Sequence, residues 1–105
     1  MTPTARSLAY CRQQGYQAAV VERWIPQARK RVDAFGWIDL LILTGESIAG
    51  VQCTSGDNHA SRVAKVRELA GPWIACGGVA EVWSWSKQGP RGARKLWRLR
   101  REEIR

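Results

Sequence analysis

The spacing of apolar positions changes several times along the chain, and each change marks an element. From Pro3 to about Gln14, the inward stripe Ala5, Leu8, Ala9 and Cys11 or Arg12 recurs at helical spacing, with Arg6 and Gln13 on the opposite side. Thr2 is suited to cap this helix, Pro3 fits its first position, where a missing N–H does no harm, and Gly15 stops it. Tyr16 to Glu22 reads as a strand through Ala18-Ala19-Val20-Val21, and a basic loop containing Pro26 follows. Trp37 to Leu43 is a nearly continuous apolar run of the kind that suits a central strand covered on both faces.

Thr44-Gly45-Glu46 is short enough to reverse the chain, which makes Ser47 to Thr54 the hairpin neighbour of that run and sets Asp39 near Gln52. Ser55 to Asn58 forms a loop and cap. His59 to about Ala70 carries Val63, Val66 and Ala70 at helical spacing, and Gly71-Pro72 ends the helix. Val79 to Lys87 and Lys95 to Arg100 then alternate as strands, joined by a Gly- and Pro-containing basic loop from Gln88 to Arg94. The predicted order is helix, three strands, helix, two strands. This is an α/β arrangement with a mixed sheet of four or five strands flanked by two helices. At 105 residues, with no internal repeat or low-complexity linker, the chain makes a single domain, 1–105.

Composition narrows the class. The chain is 45% apolar, which is ordinary for a folded domain, and no apolar run approaches the roughly 20 residues that span a bilayer. Met1 leads into Thr-Pro-Thr-Ala-Arg without an apolar signal segment, so a cytoplasmic protein is expected. Cys11, Cys53 and Cys76 are odd in number and widely spaced, which favours a reducing compartment over a disulfide framework or a zinc ribbon. The net charge is +8, unevenly placed: Lys87 to Arg105 holds eight basic residues against Glu102 and Glu103, and Arg29, Lys30 and Arg31 form a second cluster. Basic clusters able to converge on one face are the footprint of a phosphate-backbone binder, with Arg29, Lys30, Arg31, Arg94, Lys95, Arg98 and Arg100 as contacts. A merely solvated basic face is the bland alternative.

Asp39 carries most of the candidate chemistry. An ionised carboxylate in an apolar strand needs a cation, donors or water, and a metal ion is a common answer; an arginine partner or a capping role is the structural one. Strand alternation puts Gln52 and Thr54 on one face and Val51 and Cys53 on the other. Glu22 can add a second carboxylate if its strand lies beside the central one. His59 is the only histidine, which leaves a histidine metal site or a Ser-His-Asp triad without basis and gives it a place at the start of a helix. Of six tryptophans most are expected in the core, with Trp24 the best exposed candidate for stacking on bases. Gly77-Gly78 reads as a turn.

The hairpin of Gly36-Trp37-Ile38-Asp39-Leu40-Leu41 and Gly50-Val51-Gln52-Cys53-Thr54, followed by a basic helix, resembles the PD-(D/E)XK nuclease superfamily. The likeness is to its small Holliday-junction-resolvase-like and virus-type replication-repair branches, frequent in phages and prokaryotes. It implies a restriction-endonuclease-like αβββαββ fold, hydrolysis of DNA with Mg²⁺ or Mn²⁺, and a cytoplasmic place in a prokaryotic or phage-infected cell. A homodimer is implied too, because two cuts need two sites. By the same resemblance Asp39 binds the metal, Gln52 occupies the first position of the second motif strand, Glu22 matches an upstream glutamate and the Cys53 carbonyl completes the shell. Thr54 stands where the motif has lysine, and some members move that lysine to the following helix. Lys65 and Arg62, three apart on one helical face, can fill the role or act only as a phosphate clamp. The rival from another class is a catalytically degenerate nucleic-acid-binding module on the same fold; a basic adaptor for an acidic protein is a third.

Overall fold

The computed structural model describes all residues from Met1 to Arg105. Helix α1 spans Pro3–Gln14, and its first-turn donors are met as the sequence predicts: Ala5 N–H donates to Thr2 Oγ1 at 3.1 Å. Gly15, at φ +74°, turns the chain so that its own N–H and that of Tyr16 reach the carbonyls of Arg12 and Cys11. The strands that follow are β1 (Gln17–Val20), β2 (Arg23–Ile25), β3 (Lys30–Val32), β4 (Leu40–Leu43) and β5 (Ile48–Ser55). After one 3-10 turn come helices α2 (His59–Leu69) and α3 (Gly71–Ala75), then β6 (Val79–Gln88) and β7 (Leu96–Ile104).

Five strands form one mixed sheet in the order β1-β4-β5-β6-β7. Only β5 and β6 are parallel, and α2 with α3 make the crossover that a parallel pair requires. The protein is therefore α/β with a five-stranded mixed sheet, as expected. No helix is long and apolar enough to cross a membrane.

Each sheet face has its own core. Under α1 lie Cys11, Leu40, Ile42, Ala49, Val51 and Trp83; under α2 lie Trp37, Ile38, Val63, Val66, Ala70, Ala80, Val82 and Ile104. The predicted α2 stripe is the one buried. On α1 the fully buried positions are Ser7 and Cys11, because Ser7 Oγ accepts from Trp85 Nε1 at 2.9 Å and donates to the Pro3 carbonyl. Gly50 is needed where it stands, since a Cβ there would lie 2.9 Å from the Trp37 ring and 3.0 Å from Ile38 Cδ1.

Four expectations need correction. The basic segment after β1 is a two-stranded hairpin, β2–β3, apart from the main sheet. Strand β4 begins only at Leu40, because Ala34 pairs with Ile38 and folds Trp37 to Asp39 into the end of a turn. There are three helices, not two: Gly71-Pro72 opens α3, with proline in its first turn, as well as ending α2. Of the tryptophans expected in the core only Trp37 and Trp83 are fully buried, and Trp97 is 42% exposed, whereas Trp24, 53% exposed, stands out in water as expected.

Candidate metal centre

The register of the strands brings three carboxylates to one place. β1 and β4 pair up to Val20 opposite Leu40, and one step beyond, Val21 N–H donates to the Asp39 carbonyl at 2.9 Å. Glu22 follows directly. The β2–β3 hairpin pairs Arg23 with Val32, so the residues at its two feet are Glu22 and Asp33. Carboxylate oxygens of Glu22, Asp33 and Asp39 all lie within 4.8 Å of one another. Glu22 and Asp39 are thus brought together as the sequence suggested. Asp33 is the member of the cluster that sequence reasoning missed, because its position depends on a hairpin whose strands are three residues long.

On the other side of Asp39, β4 and β5 pair from Leu40 opposite Val51. The next step sets Gln52 against Asp39: Gln52 Nε2 donates to Asp39 Oδ2 at 2.6 Å and to Asp33 Oδ2 at 3.3 Å. The backbone N–H of Cys53 donates to the same Asp39 oxygen at 2.8 Å. Cys53 therefore meets the cluster through its amide, while its side chain packs in the α1-face core, where burial pushes the thiol up to about 12. Gln52 Oε1 is buried and has no partner. A half-turn of the terminal amide would exchange the two atoms and offer that oxygen to the carboxylate side.

Two cations border the cluster. Lys65 Nζ, on α2, donates to Asp33 Oδ2 at 3.4 Å, and Arg31 pairs with Glu22 at 3.3 Å from a largely exposed position. Lys65 touches Asp33 rather than Asp39, and Arg62, three residues earlier, makes no ion pair with any carboxylate. Thr54 is buried on the same sheet face. Asp39, 4% exposed, has its pKa raised from 3.8 to about 7. Burial is the main cause and the adjacent Asp33 carboxyl adds to it, against the opposing Cys53 and Gln52 donors. Three clustered carboxylates, with an amide oxygen that a half-turn of Gln52 would bring to them, make a hard-oxygen donor set of the kind that can hold a divalent cation.

The basic candidates divide between two places. Arg29, Lys30 and Arg31 lie on the hairpin that rises from the carboxylates, with Arg29 at φ +52° in its turn. Arg98 and Arg100 point to the α2 side of β7, two strands from β5, and Arg100 is engaged with Glu102 at 3.4 Å; Arg94 and Lys95 sit in the exposed β6–β7 loop. His59 opens α2, as expected, but is buried and tied: Nδ1 meets Ser84 Oγ at 2.7 Å and Nε2 meets Glu102 Oε1 at 2.9 Å. Ser84 is 2% exposed, so this trio joins α2 to β6 and β7 and offers no accessible nucleophile. No family model, curated protein or solved structure matches the chain.

Proposed function

We propose that the protein is a Mg²⁺- or Mn²⁺-dependent DNA nuclease with a restriction-endonuclease-like core, resembling the Holliday-junction-resolvase-like branch of the PD-(D/E)XK superfamily. One observation carries this reading: Glu22, Asp33 and Asp39 converge beside Gln52 at the foot of a basic hairpin. Asp39, Asp33 and Glu22 would hold the cation, with the Gln52 amide oxygen as the neutral donor. When bound, such an ion lowers the pKa of a water molecule and offsets charge on the scissile phosphate.

The remaining work falls to the chain itself. Cys53 N–H fixes the orientation of the Asp39 carboxylate. Lys65, held against Asp33, has its ammonium at the edge of the carboxylates, where it can orient a phosphate oxygen or the attacking water in place of the lysine that Thr54 lacks. Arg29, Lys30 and Arg31 would bind the phosphate backbone, so the positive arm and the negative centre belong to one surface. A homodimer with two such centres would suit paired cuts. The second reading, a binding module without catalysis, draws on Thr54 and on Arg62 making no ion pair with the carboxylates.

The test is cleavage of labelled single strands, duplexes, flaps and four-way junctions with Mg²⁺ and with Mn²⁺. Metal-dependent products from the wild type, lost in Asp39→Asn, support the nuclease. DNA binding without products under either ion selects the binding module.

A further inference from the structure

Asp33 and Asp39 are also the two ends of a tight turn. The Asp33 carbonyl accepts from Gly36 N–H at 3.1 Å, and the Ala34 carbonyl accepts from Trp37 and Ile38 at 3.2 and 2.9 Å. At the tip stands Phe35, with φ +54° and 77% of its surface exposed. A bulky side chain held at positive φ and turned to water is unfavourable on both counts, and packing in the core explains neither. Below the ring opens a cleft of about 510 Å³ lined by Phe35, Trp37, Leu69, Pro72, Trp73 and Cys76. Its aromatic walls are already arranged: Trp37 meets Trp73 edge to face at 6.2 Å, and Phe35 is tilted 46° to Trp73 at 6.5 Å. Trp73 has its N–H fixed on the Val79 carbonyl, whereas the buried indole N–H of Trp37 has no acceptor.

We infer that this cleft takes one unpaired nucleobase of a DNA strand whose phosphate lies at the carboxylates, with Phe35 stacking on it; the phosphate placement rests on the nuclease reading above. Three features select this occupant. The turn that carries Phe35 begins and ends on metal-site residues, so the cleft and the carboxylates are parts of one surface. The basic β2–β3 hairpin ends at Asp33, where the turn begins, and supplies charge for the backbone of the same strand. The lining is aromatic and apolar, which suits the face of a base and not its phosphate. A base inside a duplex is covered by its neighbours, so the cleft makes Phe35 a determinant of preference for unpaired or distorted DNA. A second copy of the chain is a poorer fit, since six lining residues fall well short of the roughly 20–30 per side in a stable interface.

The test is fluorescence anisotropy in EDTA, where no cleavage intervenes, with a labelled single strand, the same strand carrying one abasic position moved along it, and its duplex. Phe35→Ala is expected to weaken single-strand binding about tenfold, the scale of one lost stacking contact, and to leave duplex binding unchanged. One abasic position should weaken the wild type similarly and Phe35→Ala hardly at all, and Phe35→Tyr should behave as wild type. Because Phe35 is exposed, these variants are expected to fold, and circular dichroism verifies it. Equal affinities of wild type and Phe35→Ala for every DNA, or equal losses on single strand and duplex, would overturn the inference. So would a dimer seen by sedimentation that Phe35→Ala dissolves while DNA binding stays as it was. Cleavage is scored separately: an inactive wild type that keeps Phe35-dependent single-strand binding sinks the nuclease and keeps the base site. An active enzyme indifferent to Phe35 does the reverse.

Discussion

Glu81, on β6, and Asp39, just ahead of β4, are both buried carboxylates, 8% and 4% exposed, yet their surroundings are opposite. On the α1 face, Glu81 receives two hydrogen bonds from Arg101 at 3.0 and 3.2 Å and one from Trp83 Nε1 at 3.0 Å, and the guanidinium lies 4.8 Å over the Trp83 ring. Its charge is met by a counter-charge, and the trio holds β6 to β7. On the α2 face, Asp39 has only a neutral amide and a backbone N–H, and its charged neighbours within the cluster are other carboxylates. A folded domain can satisfy a buried carboxylate completely, as Glu81 shows. Asp39 has no such direct counter-charge, since Lys65 and Arg31 pair with Asp33 and Glu22 instead, and that contrast makes this cluster rather than Glu81 the candidate site.

The comparison can be broken most severely through activity. Asp39→Asn should keep the acceptor that Gln52 and Cys53 need and remove the charge that a cation needs; cleavage should fall about 1,000-fold or more with folding intact. Wild-type rates in that variant would return Asp39 to the same class as Glu81. At Glu81 the expectation is reversed, since Arg101→Met leaves a buried charge without its partner and should lower stability by about 3 kcal/mol in urea denaturation. Changing Glu81 to Leu in that background should restore most of the loss if the two residues form one structural unit.

A smaller effect separates the two through pH. Asp39 titrates near 7 in the folded protein and near its ordinary value of 3.8 when unfolded, so between these limits the folded state binds more protons. Its contribution to stability is fully present below about pH 4 and is lost as pH rises through about 7. In EDTA, Asp39→Asn should therefore be more stable than wild type at pH 8, by about 1–3 kcal/mol, with the gap closing toward pH 4. A gap that stays constant with pH would show that Asp39 is as well compensated as Glu81.

The smallest expected effect compares the two basic regions. Neutralising Arg29 and Lys30 on the hairpin should flatten the slope of log K against log salt by up to roughly 0.9 per lost phosphate contact on duplex DNA. Neutralising Arg98 and Arg100 should flatten it less, because Arg100 already faces Glu102. The opposite ranking would move the DNA path from the hairpin to β7.

Local signals made much of this legible in the sequence. Thr2, Pro3 and Gly15 bound α1, and the short turn at Thr44 to Glu46 sets the register that puts Asp39 opposite Gln52. What escaped depends on tertiary pairing. The β2–β3 strands have three residues each and no Asn-Gly or Asp-Gly turn to announce them, so the segment reads as a basic loop. With the hairpin hidden, nothing brings Asp33 back to Glu22, and the cluster reads as two carboxylates instead of three. Gly71-Pro72 is both a stop and a start, and only packing against β6 decides that α3 forms. The bonds of His59 to Ser84 and Glu102 cross 25 and 43 positions, beyond the reach of any local pattern.

The most direct test of the central claim is calorimetric titration of Mn²⁺ into the metal-free protein at pH 6, in two buffers of different ionisation enthalpy. At that pH the folded protein holds the Asp39 proton, and a cation must displace it. Binding at one site with release of about one proton per ion, lost in Asp39→Asn and kept in Arg101→Met, is the predicted result. Heat without proton release, or Mn²⁺ binding that Asp39→Asn leaves unchanged, would contradict the assignment of Glu22, Asp33 and Asp39 as a metal centre.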